Sequence, residues 1–313
     1  MALAQTASIV ERLGAVVPDI VVETVRFKPA GDRDQITKLD RHGGKGGAFV
    51  AEIRDAIRAG QLQAAMHSLK DVPGDEEAPG LVLGSYLARD NANDALVLRP
   101  DHTIHAFENA RGSGYKIGTN SVRRAAYLKR LYPECEIIHF RGAGDTRLKK
   151  LDEQILQQLP DGGSVGPVDA LVMAASGLAR IDAGNRISKL FCVDEMLPAI
   201  GQGIIVVECA REDFQTREVL AEIDNADARC CALAEREVLW VLNGHCNSPI
   251  AGNAQIDGDQ LRLRASVLSL DGGTILEAVG ESDAARPREL GRKVGLALLH
   301  KGADQLIEAH GNL

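Results

Sequence analysis

Hydrophobic and polar positions follow two different rhythms along the chain, and the change of rhythm divides it into parts. Up to about residue 88, short apolar runs typical of strands lie between amphipathic helical segments, and the same alternation restarts at Asp94. After residue 223 the order changes, because one long helical segment is followed by three strand-like runs and a closing helix. The pattern predicts an α/β protein of two α/β units followed by a C-terminal α+β unit.

Each predicted element has a local signal. Apolar residues at helical spacing predict helices, and Ser121 is placed to cap one of them at its N-terminus. The predicted helices cover residues 4–13, 49–59, 121–131, 145–159, 226–242 and 284–309. Alternating or continuous apolar runs predict strands at 20–27, 63–67, 81–87, 95–98, 116–118, 136–140, 169–174, 203–208, 251–256, 260–269 and 274–280. The polar, glycine-rich stretch 28–47 predicts a long loop.

Composition narrows the class of protein. The chain has 313 residues, 45% of them hydrophobic and 26% charged, as is usual for a globular protein of two or three domains. No apolar run reaches the ~18 residues that a membrane span needs, and the N-terminus lacks the features of a signal peptide. The six cysteines are scattered without a CxxC pair, which argues against a disulfide scaffold or a zinc ribbon. We therefore expect a cytoplasmic protein without a metal site.

Charge is distributed unevenly. The formal net charge of −8 argues against general nucleic-acid binding. Residues 111–150, however, carry ten lysines and arginines against three acids, so this segment has a charge of +7 and the rest of the chain −15. A positive island in an acidic protein indicates a small anionic ligand, the alternative being a solvated helix face.

Two turns concentrate arginine where a strand meets a helix. Residues 118–124 (GTNSVRR) place Arg123 and Arg124 in a helical first turn, and residues 141–147 (RGAGDTR) repeat the arrangement with Arg141 and Arg147. Cations there oppose the helix dipole, so they are unfavourable unless an anion lies between them and the free N–H groups. Arginine forks match carboxylates, and the turns predict a polycarboxylate or phosphate site, with surface salt bridges as the alternative.

Two further segments carry candidate chemistry. Lys70 and Asp71 follow a strand directly, at the edge of an α/β sheet where ligands bind, and the lysine would keep the carboxylate ionised. Cys246 lies in a tight turn among small polar residues, where a thiolate can be accessible. The glycine run 43–47 lacks the spacing of a phosphate-binding loop, so nucleotide binding is not predicted.

Taken together, these segments resemble the porphobilinogen deaminase (hydroxymethylbilane synthase) family. The matching stretches follow the family's order and span nearly the whole chain. They are MHSLKDVP (66–73), GTNSVRRAAYLKRL (118–131), RGAGDTRLKKLD (141–152), LVMAASGLARI (171–181), LPAIGQG (197–203) and NGHCNSPIAG (243–252).

The resemblance implies a transferase that joins four porphobilinogens head to tail with release of ammonia, giving the linear tetrapyrrole hydroxymethylbilane for haem or chlorophyll synthesis. It implies a dipyrromethane cofactor held covalently by Cys246 through a thioether, and Asp71 as the catalytic carboxylate. Cofactor contacts would come from Lys70, Ser121, Arg123, Arg124, Arg141 and Arg147, and substrate contacts from Arg180. We expect a monomer whose partner is porphobilinogen, with no nucleic acid and no membrane.

The resemblance also implies a division into three domains, the first two similar to periplasmic binding proteins. Domain 1 would comprise residues 1–88 and 200–222, domain 2 residues 89–199, and domain 3 residues 223–313. The family opens with a strand and an Arg-x-Ser-Pro-Leu-Ala turn, and Met1 falls inside that motif. We therefore expect a domain 1 without its first strand, less stable and poorly loaded with cofactor. The alternatives are a non-enzymatic anion-binding protein and a truncated inactive copy.

Overall fold

Three main β-sheets organise the protein, as seen in a computed structural model that describes residues 2–26, 48–74, 78–159, 162–244 and 247–311. In chain order the strands are β1 (Ala64–Ser68), β2 (Leu81–Tyr86), β3 (Asp94–Leu98), β4 (Lys116–Gly118), β5 (Glu136–Ile138), β6 (Gln157–Gln158), β7 (Ser164–Val165), β8 (Ala170–Ala174), β9 (Lys189–Leu190), β10 (Ile205–Ala210), β11 (Ile250–Asp257), β12 (Gln260–Leu268) and β13 (Ile275–Asp283).

The helices lie between and after these strands. They are α1 (Ala2–Val16), α2 (Ala48–Arg58), α3 (Ile104–Asn109), α4 (Val122–Leu131), α5 (Gly144–Asp152), α6 (Ala175–Ala179), α7 (Phe214–Ala221), α8 (Ala226–Leu242), α9 (Pro287–Leu299) and α10 (Ala303–Gly311). No helix in the described part of the chain combines the length and the apolar character needed to cross a membrane.

The first sheet brings together distant parts of the chain. Its order is β1-β10-β2 with both pairings antiparallel, so residues 205–210 lie between strands formed more than a hundred residues earlier. Ile9 and Leu13 of α1 pack with Ile205 and Val207 of β10 in its core. The 3₁₀ turn Leu69–Asp71 follows β1 directly, which places Lys70 and Asp71 at the end of this sheet.

The second sheet has the order β5-β4-β8-β3-β9 and is mostly buried on both faces. Strands β4, β5 and β8 run parallel, and β3 runs antiparallel to β8. Successive residues of β3 alternate between two cores: Leu96 and Leu98 contribute to one, and Ala95 and Val97 to the other. Burial on both faces explains why these strands read as continuous apolar runs.

The third sheet is the antiparallel meander β11-β12-β13, covered on one side by α8 and α9. One buried carboxylate ties this unit to the others. Glu235 of α8 is 0% exposed; it accepts hydrogen bonds from the Arg89 guanidinium at 2.5 and 3.1 Å and from the N–H groups of Gly201 and Ala254, both at 2.7 Å. Its bonds therefore reach the segment after β2, the crossover into β10, and β11.

Several predicted elements differ from the structure. Residues 20–26 form no strand, and Val21 is 94% exposed, because no strand of the described chain pairs with them. The helix predicted over 145–159 ends at Asp152, and the closing helix is interrupted at Gly302, whose φ is +88°. The predicted loop 28–47 lies outside the described residues. The short helices α3, α6 and α7 were missed.

Candidate active site

Two arginines of the 118–124 turn are buried against a carboxylate of the protein itself. Ser121 caps α4 as predicted, its Oγ accepting from the N–H of Arg124 at 3.4 Å. Arg123 Nη2 lies 2.7 Å from Asp94 Oδ2, and Arg124 donates to Asp94 Oδ1 from Nε and Nη2. Asp94 is 0% exposed. An anion does oppose these cations, as the charge argument required, and for this pair Asp94 supplies it.

Gln202 joins this ion pair to the first sheet. Its Oε1 accepts from Lys70 Nζ at 3.2 Å and from Arg124 Nη2 at 3.4 Å, while its Nε2 donates to Asp94 Oδ1 at 2.9 Å and to the carbonyl of Ala92. Gln202 is 0% exposed. Lys70 and Arg124, which are distant in sequence, therefore meet around one amide.

Arg147 lies near the same cluster, but its positive charge is less well compensated by acceptors. Burial and the positive charge of Arg124 lower its pKa from 12.5 to about 10. In the described part of the chain no acceptor reaches its buried Nε, and the same holds for Nε of Arg123. A buried guanidinium nitrogen without an acceptor is unfavourable, and an added anion would relieve that penalty. The orphaned nitrogens fit a ligand that carries several carboxylates.

Lys70 and Asp71 stand at the margin of the cluster. Burial, and then Arg124, lower the pKa of Lys70 from 10.5 to about 8, although Asp71 and Asp94 oppose that change. Asp71 is exposed at the end of the 3₁₀ turn. Its carboxylate is therefore open to a ligand, with an adjacent cation of reduced pKa behind it.

Arg180 lines a cleft between the first two sheets. Its Nη2 donates to Asp90 Oδ2 at 2.6 Å and to the carbonyl of Gly203 at 3.3 Å. Gly203 has a φ of +90°, and a Cβ on it would lie 2.5 Å from the carbonyl oxygen of Asp90, so only glycine allows this close approach. The cleft has a volume of about 380 Å³, and α1 contributes Gln5, Ser8 and Arg12 to its lining.

The remaining predicted site residues are less closely tied to the cluster. Arg141 is anchored through its backbone, since its N–H donates to Gln157 Oε1 and its carbonyl accepts from Lys150. Cys246 lies outside the described residues, so its role stays a prediction. The structure thus brings Lys70, Arg123, Arg124 and Arg147 together.

Sequence reasoning missed Asp94 and Gln202. Gln202 lies in the quoted stretch LPAIGQG, but nothing local indicates that its amide faces a lysine 132 positions earlier. Asp94 begins a strand, where an acid would ordinarily be solvated.

Comparison with known proteins points to a single family. Residues 1–218 match the family described as porphobilinogen deaminase, dipyromethane cofactor binding domain, and residues 229–300 match the porphobilinogen deaminase C-terminal domain. Porphobilinogen deaminase 2 of Streptomyces coelicolor is 37% identical over 310 residues, covering 98% of this chain and 93% of that protein. Porphobilinogen deaminase of Acidithiobacillus ferrooxidans is 38% identical over 295 residues, covering 93% and 89%.

Solved structures give only weak likenesses. The periplasmic VFT2 domain of Bordetella pertussis BvgS has a TM-score of 0.37 at 15% identity, over 70% of this chain and 75% of that one. A putative periplasmic sulfonate-binding protein from Methylobacillus flagellatus has a TM-score of 0.33 at 14% identity, over 62% of this chain and 54% of that one.

The matches define a transferase of tetrapyrrole biosynthesis with a dipyrromethane cofactor. The chain belongs to the porphobilinogen deaminase family, whose activity is that of hydroxymethylbilane synthase. The match to the C-terminal domain goes against the alternative of a non-enzymatic anion-binding protein.

Proposed function

We propose that the hydroxymethylbilane synthase reaction takes place where the cleft beside Arg180 meets the cation cluster of Lys70, Arg123, Arg124 and Arg147. The observation that carries the proposal is Arg147, whose buried Nε has no acceptor among the described residues and whose pKa burial lowers to about 10. Every pyrrole unit of the substrate and cofactor bears an acetate and a propionate. A cluster with more cations than carboxylates suits such ligands.

In this proposal each residue has one task. Arg147, Arg141, Arg124 and Arg123, whose Nε has no acceptor among the described residues, hold cofactor carboxylates, assisted by Lys70 and Ser121, and Arg180 holds substrate carboxylates. Asp71, exposed at the end of its turn, stabilises positive charge at a pyrrole nitrogen and takes up a proton. When bound, dipyrromethane supplies the pyrrole carbon to which the first substrate is joined.

Cys246 is the proposed attachment point of the cofactor through a thioether. In the sequence Cys246 comes shortly after α8, whose C-terminal end is closed by hydrogen bonds from the N–H groups of Asn243 and Gly244 to the carbonyls of Trp240 and Leu239. The proposed domains are residues 1–88 with 200–222, then 89–199, then 223–313. This division agrees with the pairing of β10 with β1 and β2. We further propose a cytoplasmic monomer.

Intact mass spectrometry of the purified protein tests this proposal. We expect wild-type chain to carry a covalent dipyrromethane adduct and Cys246→Ser to lack it, because a hydroxyl is a far weaker nucleophile than a thiolate. The matched control is Cys192→Ser, since Cys192 is an exposed cysteine elsewhere in the chain. An adduct that survives Cys246→Ser, or a wild-type protein without an adduct and without hydroxymethylbilane production, would contradict the proposal.

A further inference from the structure

Arg236 of α8 contacts the chain immediately after Asp71. Its Nη1 donates to the carbonyl of Val72 at 3.1 Å, and its Nη2 donates to the carbonyl of Pro73 at 2.6 Å. Val72 is 3% exposed, and Pro73 is buried as well. A guanidinium from the third unit thus holds two successive peptide groups of the loop that carries the proposed catalytic carboxylate.

The acceptors in this contact are neutral. Burial lowers the pKa of Arg236, and the positive charges of Arg54 and Arg288 act in the same direction, so holding it charged here is unfavourable although Tyr86 and Glu208 oppose the change. Two carbonyls recover only part of the hydration that a guanidinium loses. A general packing role would be filled at less cost by an apolar side chain. The two-pronged donor instead fixes the direction of the loop.

A second contact on the same face of α8 supports the first. Leu239 lies three residues after Arg236 and therefore on the same side of the helix. A Cβ on Gly74 would lie 2.6 Å from Cδ1 of Leu239, so the loop passes directly over this side chain. The carbonyl of Leu239 also accepts from the N–H of Gly244 at 2.9 Å, which closes the C-terminal end of α8.

We propose that Arg236 is a positioning residue, which fixes the place of Asp71 by holding the carbonyls of Val72 and Pro73. The inference rests on the proposed role of Asp71. Helix α8 therefore supports the loop that carries the proposed catalytic carboxylate. Misplacing a catalytic group by about 1 Å can lower a rate on the order of 10²-fold.

Steady-state kinetics of cofactor-loaded variants test the proposal. We expect Arg236→Ala to lower kcat at least about tenfold with KM for porphobilinogen changed less than about twofold. The covalent dipyrromethane adduct should still be present in this variant. Arg236→Lys keeps one donor and should recover part of kcat. The matched control is Arg229→Ala, because Arg229 lies on the same helix but donates to Asp224 and the carbonyl of Gly84 instead of the carbonyls of Val72 and Pro73.

Gly74→Ala gives an independent measurement in a protein that keeps Arg236. The added methyl group would push the loop away from Leu239, so we expect the same fall in kcat with an unchanged KM. Equal kcat values for Arg236→Ala and Arg229→Ala, or a loss confined to KM, would overturn the inference. If Arg236→Ala does not fold, a wild-type kcat in Gly74→Ala would overturn the inference. An inactive wild type without adduct would instead overturn the proposed function.

Discussion

Arg124 hydrogen-bonds to a single oxygen of Asp94, Oδ1, which accepts from Nε at 3.0 Å and from Nη2 at 2.7 Å. The other oxygen of Asp94 lies 2.7 Å from Arg123. One buried carboxylate therefore holds two neighbouring guanidinium groups in fixed directions. The guanidinium groups are therefore oriented before a ligand binds. Only the part of their positive charge that Asp94 leaves uncompensated attracts that ligand.

Asp94→Asn should destabilise the protein by about 3 kcal/mol or more, because it leaves two buried cations without their counter-charge. Chemical denaturation measures the free energy of unfolding. The matched control is Asp152→Asn, which breaks a more exposed pair with Arg186 and should change that free energy by less than about 1 kcal/mol. Equal losses in the two variants would contradict the role given to Asp94.

The same pair predicts how stability responds to acid. Burial raises the pKa of Asp94, but Arg123 and Arg124 outweigh burial and hold that pKa well below 3.8. The stabilisation is therefore complete above the unfolded-state pKa and is lost as pH falls below about 4 toward the folded-state pKa. Wild type should lose more stability than Asp94→Asn over this interval, as thermal melts at successive pH values would reveal.

Lys70 predicts an alkaline limit for ligand binding. Because burial lowers its pKa to about 8, the ammonium loses its proton between about pH 7 and 9, and its attraction for carboxylates goes with it. KM for porphobilinogen should rise across this range in wild type and stay flat in Lys70→Arg, whose guanidinium remains charged. Identical pH profiles for the two proteins would rule out Lys70 as the titrating group.

At high pH, where ligand binding weakens, the stability of the folded chain should rise. The folded-state pKa of Lys70 lies below the unfolded value of 10.5, so the folded chain releases this proton first. Below about pH 8 the penalty for burying the ammonium is present in full. From about pH 8 to 10.5 that penalty is relieved, and the contribution of Lys70 to the free energy of unfolding rises.

Asp71→Asn should lower kcat by roughly 10²–10³, because it removes the charge that stabilises the developing cation while keeping the side-chain shape. Folding and the cofactor adduct should be retained, which intact mass and thermal melts would check. Asp55→Asn, an exposed aspartate paired with Arg58 on α2, serves as control and should leave kcat unchanged. Wild-type turnover in Asp71→Asn would show that Asp71 has no catalytic role.

Gln202→Leu should destabilise the protein by about 1–3 kcal/mol, since it leaves Lys70, the Ala92 carbonyl and part of Asp94 without their partner. Gln202→Glu keeps the acceptor for Lys70 and Arg124 but places a second carboxylate beside Asp94, so it should raise the pKa of one of the two carboxyl groups. Denaturation across pH 4–8 would separate the variants. A Gln202→Leu protein as stable as wild type would contradict the joining role of this amide.

Local signals in the sequence predicted much of the fold but not the partners within the site. Ser121 and the helix after it follow from capping and apolar spacing, which act within a few residues. The alternation over 20–27 is just as clear, yet residues 20–26 form no strand, because a strand requires a partner that no local pattern can supply.

The same distinction holds for the site. The cations of residues 118–147 could be recognised because their types and spacing are unusual. The roles of Asp94, Gln202 and Arg236 depend on contacts between residues 30 to 164 positions apart, which only the folded chain brings together. Cys246 remains a prediction from the sequence.

Glu235 sets a limit on how the protein can bend. Its two oxygens bond the segment after β2, the crossover into β10, and β11, and the carboxylate is shielded from water. Pulling these segments apart would leave the carboxylate buried without its partners, which is strongly unfavourable. Any movement that makes room for a chain lengthening by one pyrrole at a time must therefore keep the contacts around Glu235 intact.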